Sequence, residues 1–130
     1  MYVDPQQLAK APLFEGLGSY ALEEIAERSV KSFVRPGFRL VAAGEPGFSF
    51  SVILSGSADV KVNGETIATL GTGDVFGEMA LAGGGTRNAD VVAKSEMVLA
   101  SMMVWDFRNM TEKHREVKDR LERLIADRSG

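Results

Sequence analysis

The stretch Phe48-Ser49-Phe50-Ser51-Val52-Ile53-Leu54-Ser55-Gly56-Ser57-Ala58-Asp59-Val60-Lys61-Val62-Asn63-Gly64 decides the fold. Apolar residues recur at alternate positions, Phe48, Phe50, Val52 and Leu54 and then Ala58, Val60 and Val62, which is the period of a strand and not of a helix. Gly56 parts the two runs. Asn63-Gly64 is a strong hairpin signal, because a two-residue turn of this kind asks for positive φ at both positions. The returning arm follows with Ile67 and Leu70.

Working outward, Gly44-Glu45-Pro46-Gly47 makes a turn, Phe38 and Leu40 lie before it, and Pro36-Gly37 makes another turn after Phe33. On the far side come Ala89 to Ala93 and Met97 to Val104, with Ser95 and Glu96 as the turn between them. About eight short strands with close turns predict a mainly β fold, an antiparallel barrel or sandwich of the jelly-roll kind, with flanking helices. Spaced βαβ units are absent, which argues against a dinucleotide fold.

Both ends of the chain read as helix. Asp4 can cap a short helix over Pro5 to Lys10, and Ser19 can cap a second one that carries Leu22, Ile25 and Ala26 on one face and ends at Val30. Beyond the strands, Trp105 to Met110 forms a turn or two. Thr111 is then the expected cap of a helix with the stripe Val117, Leu121, Leu124 and Ile125, whose other side, with Lys118, Asp119, Glu122 and Arg123, is solvated. Residues 1–130 are thus read as one domain, with 1–30 a helical lead-in, 31–104 the stranded body and 105–127 the C-terminal helices.

Composition narrows the function classes. A hydrophobic content of 45% is that of a chain with a core, and a net charge of −3 with scattered positive groups leaves no footprint for nucleic acid contact by this chain. Zero cysteines exclude disulfides, thiol catalysis and thiolate metal sites. No run approaches the roughly 18 apolar residues of a membrane span, so no membrane contact is expected and the cytoplasm is the default location.

The chemistry concentrates in Gly71-Thr-Gly-Asp-Val-Phe-Gly-Glu-Met-Ala-Leu-Ala-Gly-Gly-Gly-Thr-Arg-Asn-Ala-Asp-Val91, an excursion too long for a hairpin turn. Gly77 to Ala82 can turn once into helix, whose first N–H groups have no internal partner and suit a phosphate. Arg87 adds a charge-assisted fork for two phosphate oxygens. A carboxylate beside a phosphate would repel it, so Glu78 makes sense as acceptor from a sugar hydroxyl such as a ribose 2′-OH. Acid for sugar and arginine for phosphate describe a small, anionic, ribosylated ligand.

Plainer roles compete. Arg87 could be a surface ion-pair residue, Glu78 a helix-end charge, Asp74 a structural carboxylate that accepts backbone N–H groups, and His114, the single histidine, a solvated side chain. Met97, Met102, Met103 and Met110 read as packing. Enzyme readings fare worse: Ser49, Ser51, Ser55 and Ser57 have no identifiable base, the glycine-rich loop lacks the Gly-Lys-Ser/Thr ending of a P-loop, and one histidine does not make a metal site. No catalytic residue, metal or cofactor is expected.

Phe76-Gly77-Glu78-Met79-Ala80-Leu81, followed by Arg87-Asn88-Ala89, resembles the phosphate-binding cassette of the cyclic nucleotide-binding domain family, the family of the catabolite activator protein and the protein kinase A regulatory subunit. Leu13-Phe14 and Leu17, Phe50-x-x-Ile53-Leu54-x-Gly56 (with Ser51, Val52 and Ser55 at its variable positions) and Leu70-Gly-x-Gly-Asp74 extend the resemblance over nearly the whole chain. It implies a β-roll with the cassette at 76–89, Glu78 on the ribose, Arg87 on the cyclic phosphate, and N–H groups of Met79 and Ala80 sharing that phosphate. Gly77, Asn88 and Ala89 complete the implied site, and Leu121 and Leu124 are the candidate lid contacts. The implied ligand is cyclic AMP, with cyclic GMP as the other choice, and the implied role is a regulatory sensor that passes occupancy through its C-terminal helix to an effector domain or a second copy. The alternative is a degenerate β-roll serving as a protein interaction module without nucleotide. Asn88, where the family often has Ser, Thr or Ala, and the Gly83-Gly84-Gly85 tip depart from the pattern.

Overall fold

The computed structural model describes residues 2–44, 47–77 and 89–129. The chain begins with α1 (Pro5–Leu8), a 3-10 turn at Pro12–Phe14 and α2 (Ser19–Glu27). Eight strands follow: β1 (Val30–Val34), β2 (Arg39–Val41), β3 (Ser49–Ser55), β4 (Ala58–Val62), β5 (Glu65–Leu70), β6 (Val75–Phe76), β7 (Asp90–Ala93) and β8 (Met97–Met103). Two helices close the chain, α3 (Val104–Lys113) and α4 (Arg115–Ser129). The strands form two four-stranded sheets, β1-β8-β3-β6 and β2-β7-β4-β5, with antiparallel pairing throughout the described ladders. These are the eight antiparallel strands that the alternating sequence predicts, arranged as the β-roll that the family resemblance implies.

The β4–β5 hairpin closes at Asn63 and Gly64 with φ of 53° and 83°, the left-handed geometry that Asn-Gly supplies at least cost. Within the first sheet β3 is buried on both faces from Phe50 to Leu54, and its middle is accordingly the apolar run Val52-Ile53-Leu54. Its outer face gives Phe50, Val52, Leu54, Ala100 and Met102 to a core shared with the helices, where Phe107 stacks on Phe50 at 4.3 Å between ring centroids and meets Phe14 at 6.2 Å. Its inner face gives Ile53, Met97 and Leu99 to a second cluster between the sheets, completed by Ala58, Leu70, Phe76, Val91 and Ala93.

Helix ends differ from the sequence reading in instructive ways. Asp4 does cap α1, accepting from Gln6 N at 2.9 Å. At α2 the cap position is Gly18, whose carbonyl takes the Leu22 N–H at 3.1 Å, and Ser19 is already helical. The helix stops at Glu27; Val30 instead opens β1 opposite Ser101, because sheet pairing outweighs one more helical turn for a β-branched residue. Thr111 caps nothing. It lies inside α3, buried, with its hydroxyl donating to Arg108 O at 2.9 Å. The break falls at His114, whose carbonyl accepts from Val117 N and Lys118 N and so starts α4.

Candidate functional site

The approach to the site is a braced turn. Asp74 accepts the Gly71 N–H on Oδ2 at 2.8 Å, its own N–H donates to Gly71 O at 3.0 Å, and Gly73 N and Asp74 O bond both sides of Ile53 in β3. Asp74 is therefore the structural carboxylate of the sequence reading. Gly73 has φ of 91° and passes close to the N-terminal segment; a Cβ there would stand 3.3 Å from Lys10 O. β6 then pairs with β3, Val75 opposite Val52 and Phe76 opposite Ser51, and Gly77 turns away at φ of 88°.

Beyond this point lie Glu78, Met79, Ala80, the Gly83-Gly84-Gly85 tip, Arg87 and Asn88, all outside the described residues. The chain resumes at Ala89, half-buried, and enters β7, where Asp90 accepts the Ala43 N–H on Oδ1 at 2.7 Å. The two roots of the segment thus belong to different sheets, β6 in the first and β7 in the second. Phe76 and Val91 nonetheless meet in the same apolar cluster, which fixes both roots against one core. Beside Phe76, the hydroxyls of Ser51 and Ser101 are hydrogen-bonded to one another at 2.7 Å, a polar pair inside the roll that isolated serines in the sequence did not announce.

The C-terminal helix reaches the same region. Val117 and Leu121 are buried in the helical core and Leu124 and Ile125 pack on its margin, so the expected stripe is docked. Two arginines of α4 grip backbone carbonyls: Arg120 donates to Leu13 O at 3.2 Å and Glu15 O at 2.5 Å, and Arg128 donates to Val75 O at 2.6 Å. Between them Leu124, Pro12, Leu13, Gly73 and Val75 border a cleft of about 250 Å³. These arginines carry no helical-stripe signal and were not singled out by the sequence; a basic residue at the edge of a stripe reads the same whether it is solvated or bonded.

A family model described as cyclic nucleotide-binding domain matches residues 31–114. The chain belongs to the cyclic nucleotide-binding domain family. Among curated relatives, this cyclic nucleotide-binding domain is 37% identical over 97 residues to a cAMP-dependent protein kinase regulatory subunit of Yarrowia lipolytica, covering 73% of this chain and 26% of that one. It is 34% identical over 125 residues to a cyclic nucleotide-gated potassium channel of Rhizobium etli, covering 96% of this chain and 35% of the channel. The domain thus spans about a quarter to a third of the length of these relatives. Among solved structures, the regulatory subunit of a cAMP-independent protein kinase A from Trypanosoma brucei superposes with a TM-score of 0.84 at 30% identity, over 92% of this chain and 44% of that one. The domain is of a binding and not a catalytic family by its description, and no helix among its described residues is long and apolar enough to cross a membrane.

Proposed function

We propose that this domain binds a cyclic nucleotide, cyclic AMP foremost, as a cytoplasmic regulatory sensor and not as an enzyme. The observation that carries the reading is the family match over residues 31–114, which encloses the whole segment from Gly77 to Ala89. In this reading Glu78 accepts from the ribose 2′-OH, Arg87 forks onto the cyclic phosphate, the N–H groups of Met79 and Ala80 share that phosphate, and Gly77, Asn88 and Ala89 shape the backbone around it. Residues 1–30 serve as the helical lead-in, 31–104 as the β-roll with its cassette at 76–89, and 105–127 as the output, with Leu121 and Leu124 on the lid side.

Transmission is supported by the contacts of α4. Its Arg128 is bonded to Val75 O, two residues before Gly77, and its Arg120 to the 3-10 turn. A ligand that shifts the cassette roots changes these bonds, and a ligand moves an equilibrium only through such state-dependent contacts. The receiver is an effector domain or a second copy engaged through the C-terminal helix.

Calorimetric titration with cyclic AMP and cyclic GMP tests the proposal. Saturable heat is expected, and Arg87→Ala should weaken it at least about tenfold, a loss of about 1.4 kcal/mol or more. A second reading has one observation in its favour, the likeness to the regulatory subunit of a protein kinase A described as cAMP-independent. Absence of heat with both nucleotides would favour that reading, a β-roll used as a protein interaction module.

A further inference from the structure

Among the described residues four strands stand at sheet edges, β1 and β6 in one sheet and β2 and β5 in the other. Exposed edges invite pairing with another chain and are usually blunted by short length, irregular register or polar side chains. Three of these edges are blunted: β6 has two residues, β2 has three with a register shift between Arg39 and Val41, and β5 is polar at Glu65, Thr66 and Thr69 and pairs through a shift. β1 is not. Its five residues Val30-Lys31-Ser32-Phe33-Val34 pair without interruption with β8 on one side, their sole strand partner among the described residues. Val30 and Phe33 are 66% and 64% exposed.

We infer that β1 is a docking edge for the β1 of a second copy of this chain, paired antiparallel about a two-fold axis at Ser32. Its sequence is self-complementary in that register and not in the two beside it. With Ser32 opposite Ser32 of the other copy, Val30 faces Val34 and Lys31 faces Phe33, each pair occurring twice, as an isologous interface requires. Centring the axis one residue earlier sets Lys31 against Lys31, and one residue later sets Lys31 against Arg35. Like charges directly opposite destabilise a strand pair, so both neighbouring registers are disfavoured. Within one chain the Lys31 ammonium stands 5.8 Å from the centroid of the Phe33 ring, a distance at which a ring face attracts a cation. Pairing would join two four-stranded sheets into one of eight strands. The inference does not depend on nucleotide binding.

Sedimentation of the full chain from about 1 µM to about 1 mM, without nucleotide, tests it. A concentration-dependent dimer is expected. Phe33→Lys places a second ammonium directly opposite Lys31 of the other copy, twice across the axis, and should raise the dimer dissociation constant at least about tenfold. The exposed Phe33 is outside both apolar clusters, so the fold should survive, as its circular dichroism will show. Combining Lys31→Glu with Phe33→Lys restores opposite charges across the axis and should restore the dimer. A monomer over the whole range, a dimer indifferent to Phe33→Lys, or a failure of the double variant to recover overturns the inference.

Discussion

At Gly56 the chain leaves β3 with φ of 95°, and a Cβ built there would overlap the Glu96 carbonyl oxygen and stand 2.9 Å from Met97 Cα. Backbone and conformation both refuse a side chain. Gly56→Ala should therefore lower stability by roughly 2 kcal/mol or more, read as a reduced urea midpoint at unchanged slope. Glu78 has a different test, because its proposed partner is a single hydroxyl. Glu78→Ala should weaken cyclic AMP more than it weakens the 2′-deoxy analogue, and equal losses in calorimetry would remove Glu78 from the ribose. Residues whose role is conformational were legible from sequence: Asn63 and Gly64 sit at the turn their types require, and Asp74 takes the backbone N–H expected of it. Arg120 and Arg128 were not, since their acceptors are carbonyls of Leu13, Glu15 and Val75, positions that no local pattern connects to a helix so distant in the chain.

Among the elements, α4 has two kinds of attachment. Val117 and Leu121 hold its first half in the core, while its far end is tied at Arg128 and its middle at Arg120. Hydrogen bonds from a charged group contribute about 1.5–3 kcal/mol at most, less at an exposed rim. Arg120→Ala should thus raise amide hydrogen exchange across 115–129 several-fold while β3 and β8 stay protected; uniform loss of protection would mean that the clamp supports the whole fold. Cyclic AMP should perturb amide resonances over 105–127 if α4 is the output, and changes confined to 71–91 would speak against it. The stripe of α4 was legible because burial imposes a period. Its start was not: Thr111 has the right type for a cap, but burial of that residue beside Met110 carried α3 onward to Lys113.

For the molecule as a whole, the first sheet is a partition between two apolar clusters, and the C-terminal helices close the outer one with Phe107, Met110, Val117 and Leu121, of which Phe107 stacks on Phe50. Phe107→Ala should cost about 3–5 kcal/mol and lower the melting temperature, with the hairpin and the inter-sheet cluster failing in the same transition because β3 and β8 serve both clusters. Alternation along 48–64 revealed the strands and their class. It could not reveal that β3 has no solvent face, nor the order β1-β8-β3-β6, because those pairings are made between residues far apart in sequence.

The β4–β5 hairpin stands at the edge of the second sheet with Asn63 through Thr69 exposed. Since the chain has no cysteine of its own, a thiol introduced as Thr66→Cys would be unique as well as accessible. A maleimide dye attached there would mark every molecule once, at a position that neither cluster depends on, and would turn the domain into an optical probe by chemistry alone.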